Sequence, residues 1–178
     1  MTSCSFNGET LRDFVTGREL PDTDDERIRQ AVEEFLVRGK GYRPEEIELD
    51  RCFDLPVADS PERGRIDLIV LIQGRPFMAI LCAPGSLVTR ERAALAAARL
   101  ADEVQIPFTV VTNGREAELL DTITGRVTAE GLAAWPDRAE AEVLIAGLKP
   151  QPLKEGRKEK EARIYLAFAP FKCGLFCH

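Results

Sequence analysis

The stretch Met78 to Leu87, MAILCAPGSL, has the form of a strand that breaks at the turn Ala83-Pro84-Gly85-Ser86. Such a turn often sits at the mouth of an active site, yet the residues before it, Ile80-Leu81-Cys82, carry no charge. Met78, Ile80 and Cys82 share one face, because strand side chains alternate. A hairpin through Gly74 brings Asp67 opposite Leu81 or Cys82, depending on register. Asp67 is then a lone carboxylate facing Ile80, Cys82 and the helix residue Ala31. Hard Mg²⁺ takes oxygen ligands, and neither isoleucine nor a thiol provides one. The expectation is a strand-end Asp67 satisfied by a donor such as Arg65. Glu33, Glu34, Asp50 and Asp54 are the candidates for a second carboxylate, and Arg90 or Arg92 for a positive charge beside it. The chain's only histidine is His178, so no imidazole is at hand to activate Cys82, which is expected to be a buried core thiol.

A second constellation lies at the other end. Cys173, Cys177 and His178 are all common Zn²⁺ ligands, with Cys4 as a fourth. Their spacing is no standard finger pattern, and the alternative is a tail with incidental cysteines.

The elements that must position these residues follow from periodicity. Thr23-Asp24-Asp25-Glu26 has the form of a capping box. Ile28, Ala31, Val32, Phe35 and Leu36 continue at helical spacing until Gly39 and Gly41. Ile47, Leu49 and Phe53 alternate with polar neighbours as a half-exposed strand. Arg65 to Gln73 is almost continuously apolar and hence central in its sheet. After the Gly74 turn, Pro76 to Cys82 returns as the next strand. Thr89 is placed to cap an alanine-rich helix, RERAALAAARLADEV, whose small side chains let it pack close to the sheet. IPFTVVT is a further buried strand, and two short strands flank Thr124-Gly125. A third helix fits Asp137 to Leu148. Lys149-Pro150-Gln151-Pro152 is a linker, followed by a charged, mildly basic helix stopped by Pro170. The order predicts an α/β (α+β) domain with a mixed central sheet, in which the strand after the alanine-rich helix enters parallel to its neighbour. The boundary is expected near residue 148, with 149–178 as linker, helix and tail.

Bulk composition narrows the function classes. With 178 residues, 44% of them hydrophobic and 30% charged, the chain can bury a core and is not disordered overall. A net charge of −6 speaks against a dedicated nucleic-acid binder, which usually carries a basic surplus, although a local basic groove stays open. The first residues lack a basic and apolar leader, and no apolar run approaches the roughly 18 residues of a membrane span. The five cysteines show no disulfide framework. A cytoplasmic location is expected, with no membrane partner and an open oligomeric state.

Several ordered runs, FVTGRELPDTDDERIRQAVEEFLVRGKGY, GRIDLIV, APGSLVTRERAALAAARL and PFTVVTNGREAELLDTITGRV, resemble the amino-terminal domain of type I restriction enzyme R subunits, most closely its short stand-alone bacterial form. The resemblance runs from about Phe14 to about Glu142. It implies the PD-(D/E)xK nuclease superfamily, a restriction-endonuclease-like αβββαβ core, and Mg²⁺-dependent DNA cleavage. The family's metal-binding Asp corresponds to Asp67. Its Glu and Lys, two apart on one strand so that both reach one metal-bound water, correspond to Ile80 and Cys82. The first-helix Glu corresponds to Ala31, and a second-helix Gln to Ala93. With four of these five positions apolar or thiol, the resemblance implies a dismantled site. The expected protein is a catalytically inactive nuclease fold with a binding or regulatory role toward DNA or a protein partner. Arg65, Arg90 and Arg92 are its candidate nucleic-acid contacts. No cofactor is expected. The alternative is an active Mg²⁺-dependent endonuclease centred on Asp67, and Zn²⁺ in the tail is a separate option.

Overall fold

The computed structural model describes residues 9–57 and 62–169. A two-stranded hairpin comes first, β1 (Thr10–Arg12) and β2 (Glu19–Pro21), which sequence reading did not anticipate. Helix α1 (Asp24–Glu34) follows, and the chain continues from it through a π-helical turn, Phe35–Gly39. Next come β3 (Ile47–Leu55), β4 (Glu62–Ile72), β5 (Arg75–Cys82), α2 (Glu91–Leu100) and β6 (Phe108–Thr112). Strands β7 (Ala117–Asp121) and β8 (Arg126–Glu130) and helices α3 (Arg138–Gly147) and α4 (Glu155–Phe168) complete it. The expected helix–three strands–helix–strand order is present as α1-β3-β4-β5-α2-β6, in a mixed sheet flanked by helices.

All six of the later strands form one sheet, in the order β3-β4-β5-β6-β7-β8. Only β5 and β6 are parallel, because α2 carries the chain back to the same end before β6 begins. Gln73 and Gly74, both at positive φ, make the two-residue turn that fixes the β4–β5 register. The short strands around Thr124-Gly125 extend the main sheet beyond β6.

Helix α1 starts as expected at Thr23, whose hydroxyl accepts from the Glu26 amide at 3.2 Å. Glu26 does not close the capping box; its carboxylate turns to Arg29 and Gln30. Thr89 does not cap α2 either. Its hydroxyl donates to the Ser86 carbonyl, and the helix begins after Arg90. Asp137 caps α3 with a complete capping box through Glu140.

The two faces of the sheet carry separate cores. On one, Val32 of α1 and Leu36 of the π-helical turn after it pack with Leu68, Val70, Ile80 and Cys82. On the other, alanines of α2 and Ala162 and Tyr165 of α4 pack with Ile66, Ile69 and Phe53. Strict alternation would hold Ile47, Leu49 and Phe53 on one side, as sequence reading assumed. Instead Ile47 and Leu49 face α1 while Phe53 and Leu55 face α2 and α4. Strand β4 changes sides in the same place: Leu68 faces α1 and Ile66 faces α2 and α4. The crossover on β3 is Asp50, in left-handed backbone at φ 52°. The register pairs Leu49 with Leu68 and Arg51 with Ile66, so Asp50 and Asp67 fall between the same two pairs.

No helix among the described residues is long and apolar enough to cross a membrane. Of the cysteines there, Cys82 is a buried thiol outside any disulfide, as expected. Cys52 is disulfide-bonded, a cross-link that the expectation of no disulfide framework did not include.

Candidate functional site

Asp67 is 1% exposed, and both of its oxygens are engaged. Oδ2 accepts from the Cys82 amide at 2.7 Å and Oδ1 from Arg65 Nη2 at 3.2 Å. The end of β5 therefore does meet Asp67, through the backbone amide of Cys82. The other terminal nitrogen of Arg65, Nη1, lies 3.4 Å from Asp50 Oδ1. Two like charges facing each other across a strand pair repel, and here one guanidinium lies between them. Burial pushes the Asp50 carboxyl above its usual range; Arg65 and Arg29 pull it back, and Asp67 and Glu26 push it further up.

The backbone of Arg65 is held from the opposite side of the sheet. The Tyr165 hydroxyl of α4 accepts from the Arg65 amide at 2.9 Å and donates to the Arg65 carbonyl at 3.1 Å. It supplies the pairing that a neighbouring strand would give. Burial raises the Tyr165 hydroxyl's pKa, the Arg65 backbone contact opposes that, and the Asp67 charge adds to the rise.

A second charged layer lies on α1. Arg29, 4% exposed, reaches Glu26 (2.5 Å), Glu33 (2.8 Å) and Asp13 (2.7 Å). Gln30 adds bonds to Asp13 and Glu26 and accepts from the Phe14 amide. Glu33 accepts from the Val15 amide. Together these contacts pin the segment between β1 and β2 onto α1. Glu33 is driven up to about 8 by burial, against the pull of Arg29 and with the push of Asp13 and Glu26. Burial would also raise Asp13, but the Thr16 hydroxyl and amide and the charge of Arg29 more than offset it, so it lies below its usual value.

Only part of the expected constellation assembles. Ile80 and Cys82 are 0% and 1% exposed, inside the apolar α1-facing core. Ala31 does not face Asp67; it is exposed to solvent on α1, because the helix turns Arg29, Val32 and Glu33 inward in its place. Ala93 is fully buried between α2 and the sheet. Of the four reserve carboxylates, Asp50 joins Asp67. Glu33 belongs to Arg29, Glu34 pairs with Arg38 on the surface, and Asp54 pairs with Arg63. Arg65 is ion-paired with two carboxylates, Asp50 and Asp67. Arg92 is exposed and lies over the Phe168 ring at 5.1 Å, while Arg90 is half-buried. Cys4, Cys173, Cys177 and His178, the candidate zinc ligands, lie outside the described residues. Sequence reading missed Asp13, Glu26, Arg29, Gln30 and Tyr165. The spacing of Glu26, Arg29 and Glu33 does show on a helical wheel; nothing local points to Asp13 or Tyr165.

The nuclease fold implies Mg²⁺, and these residues do not fit it. Asp67's oxygens are taken by an amide and a guanidinium, and the strand that would add a carboxylate adds Ile80. Among the described residues no group of three or more His, Cys, Asp or Glu is placed to hold a metal ion.

A mixed sheet with this helix–strand order, and an aspartate at the strand crossover, define a restriction-endonuclease-like α+β protein. The family model of the type I restriction enzyme R protein N terminus matches residues 24–136, and the chain belongs to that family. No curated protein and no solved structure matches it.

Proposed function

We propose that this chain is a catalytically silent nuclease fold that works by binding, with a protein and not DNA as its partner. The observation that carries the reading is the burial of Ile80 and Cys82 in the apolar core beneath α1. On that face the family's chemistry needs a carboxylate and an amine. A metal-bound water has no room among packed apolar side chains and no oxygen ligands there.

The choice of partner rests on charge. An open groove of about 660 Å³ lies beside the Gly85–Val88 turn and is lined by Glu116, Glu118 and Glu130, with Arg115 as its one basic side chain. Burial and the neighbouring Glu91 and Glu130 raise the Glu118 carboxyl, the mark of crowded negative charge. A phosphate backbone is repelled by such a surface, and a basic or amide-rich protein segment is not.

The test is direct. Purified protein with Mg²⁺ or Mn²⁺ is expected to leave supercoiled DNA intact and to give no Mg²⁺ binding heat. Cleavage that disappears in Asp67→Ala would establish the active-nuclease alternative instead.

A further inference from the structure

We infer that the Arg65 guanidinium is the resident cation of the Asp50–Asp67 pair, a built-in group that holds the place a free cation would otherwise take. The inference rests on the catalytically silent reading and adds to it a reason the site persists without its chemistry.

Three observations carry it. The β3–β4 register pairs Leu49 with Leu68 and Arg51 with Ile66, which leaves the carboxylates Asp50 and Asp67 between those two pairs, an arrangement that costs energy unless a positive charge intervenes. Arg65 reaches Asp67 with one terminal nitrogen and Asp50 with the other, at 3.2 and 3.4 Å. Its backbone is clamped by Tyr165 from the other face, so the guanidinium is delivered from a fixed point. Arg65 lies two residues before Asp67, yet Ile66 and Leu68 face opposite cores. The face exchange at this point sets the side chain between the two acids. Asp50 holds a left-handed backbone there, which a non-glycine residue adopts only at some cost. The Asp50–Arg65–Asp67 bridge opposes that cost.

Removing the guanidinium leaves two carboxylates facing each other across one strand pair. That pair then becomes a site for a small external cation. The experiment compares the full-length chain with Arg65→Ala and with Arg65→Ala/Asp50→Asn, each titrated with Mg²⁺, Mn²⁺, Ca²⁺ and methylguanidinium and followed by thermal unfolding and calorimetry. The parent chain is expected to show no shift with any of them. Arg65→Ala is expected to melt lower and to recover stability with millimolar divalent ion or methylguanidinium. The double variant is expected to lose that response.

If Arg65→Ala does not fold in cation-free buffer, its refolding yield with and without those cations is the readout, and recovery is expected. A variant rescued by neither divalent ion nor methylguanidinium overturns the inference, whatever the parent chain does to DNA. Cleavage by the parent chain would overturn the silent reading separately.

Discussion

Glu33 shows how the charged layer on α1 is balanced. It faces Arg29, Asp13 and Glu26 with no exposure to solvent, and its carboxyl rises to about 8. A carboxyl whose folded pKa lies above its unfolded value near 4.5 binds its proton more tightly when folded. Its contribution is therefore fully present at low pH and is lost as pH rises toward 8. Glu33→Gln is expected to flatten the fall in melting temperature between about pH 5 and 8, which thermal unfolding across that range will show. An unchanged slope would mean that Glu33 ionises normally. Arg29 matters more. Without it, Asp13 and Glu26 share a buried pocket beside Glu33 with no counter-charge, so Arg29→Met should cost ~3–5 kcal/mol in urea unfolding at pH 7. The loss should shrink at acid pH as the carboxylates protonate.

At the scale of elements, the junction of β3, β4 and α4 carries the site. Gly64 is needed there because the Phe53 ring lies over it: a Cβ at Gly64 would sit 2.3 Å from Phe53 Cζ. Phe53 cannot swing freely, since it packs edge-on to Tyr165 with ring centroids 5.5 Å apart. Gly64→Ala is thus expected to lower stability by ~1–3 kcal/mol, measured as a drop in the urea midpoint with an unchanged slope. Tyr165→Phe keeps the ring but strips both hydrogen bonds from the Arg65 backbone. Leaving those strand groups unpaired should cost ~1–3 kcal/mol and speed amide exchange at Arg65 ahead of its neighbours. Uniform exchange along β4 would contradict the clamp. Helix α4 is not a solvated appendage, although its charged run resembles one. Its Glu161, 1% exposed, takes Arg99 of α2 and Arg157 of its own helix, and Ala162 fits the alanine surface of α2.

For the whole molecule, net charge and its placement govern what can dock. The −6 total includes glutamates gathered around the groove by the Gly85–Val88 turn, and Arg65, the basic residue nearest Asp67, is already engaged. Duplex DNA should therefore bind weakly or not at all near 150 mM salt in a fluorescence-anisotropy titration. Tight binding with a steep salt dependence would show that phosphate contacts dominate after all. The family match over residues 24–136 covers α1 through the turn before α3, so the scaffold is the family's, while α4 lies beyond the matched segment.

Much of this scaffold was legible from local pattern. Thr23 as a cap, Gly74 as a turn, the helix beginning near Asp137, the alanine-rich helix and the apolar β4 each follow from residues near one another in the chain. That Ile80 and Cys82 share a face was legible as well, because side chains alternate along a strand with a two-residue period. That rule then failed at Asp50. Alternation assumes uniform extended backbone, and one left-handed residue moves Phe53 and Leu55 to the opposite core. The same exchange brought Asp50, Arg65 and Asp67 together, while the packing of α1 on Arg29, Val32 and Glu33 left Ala31 facing water. Asp13 to Arg29 and Tyr165 to Arg65 are contacts between residues distant in sequence. Whether such groups meet depends on packing two helical layers against a sheet that changes sides, and only the folded chain settles that.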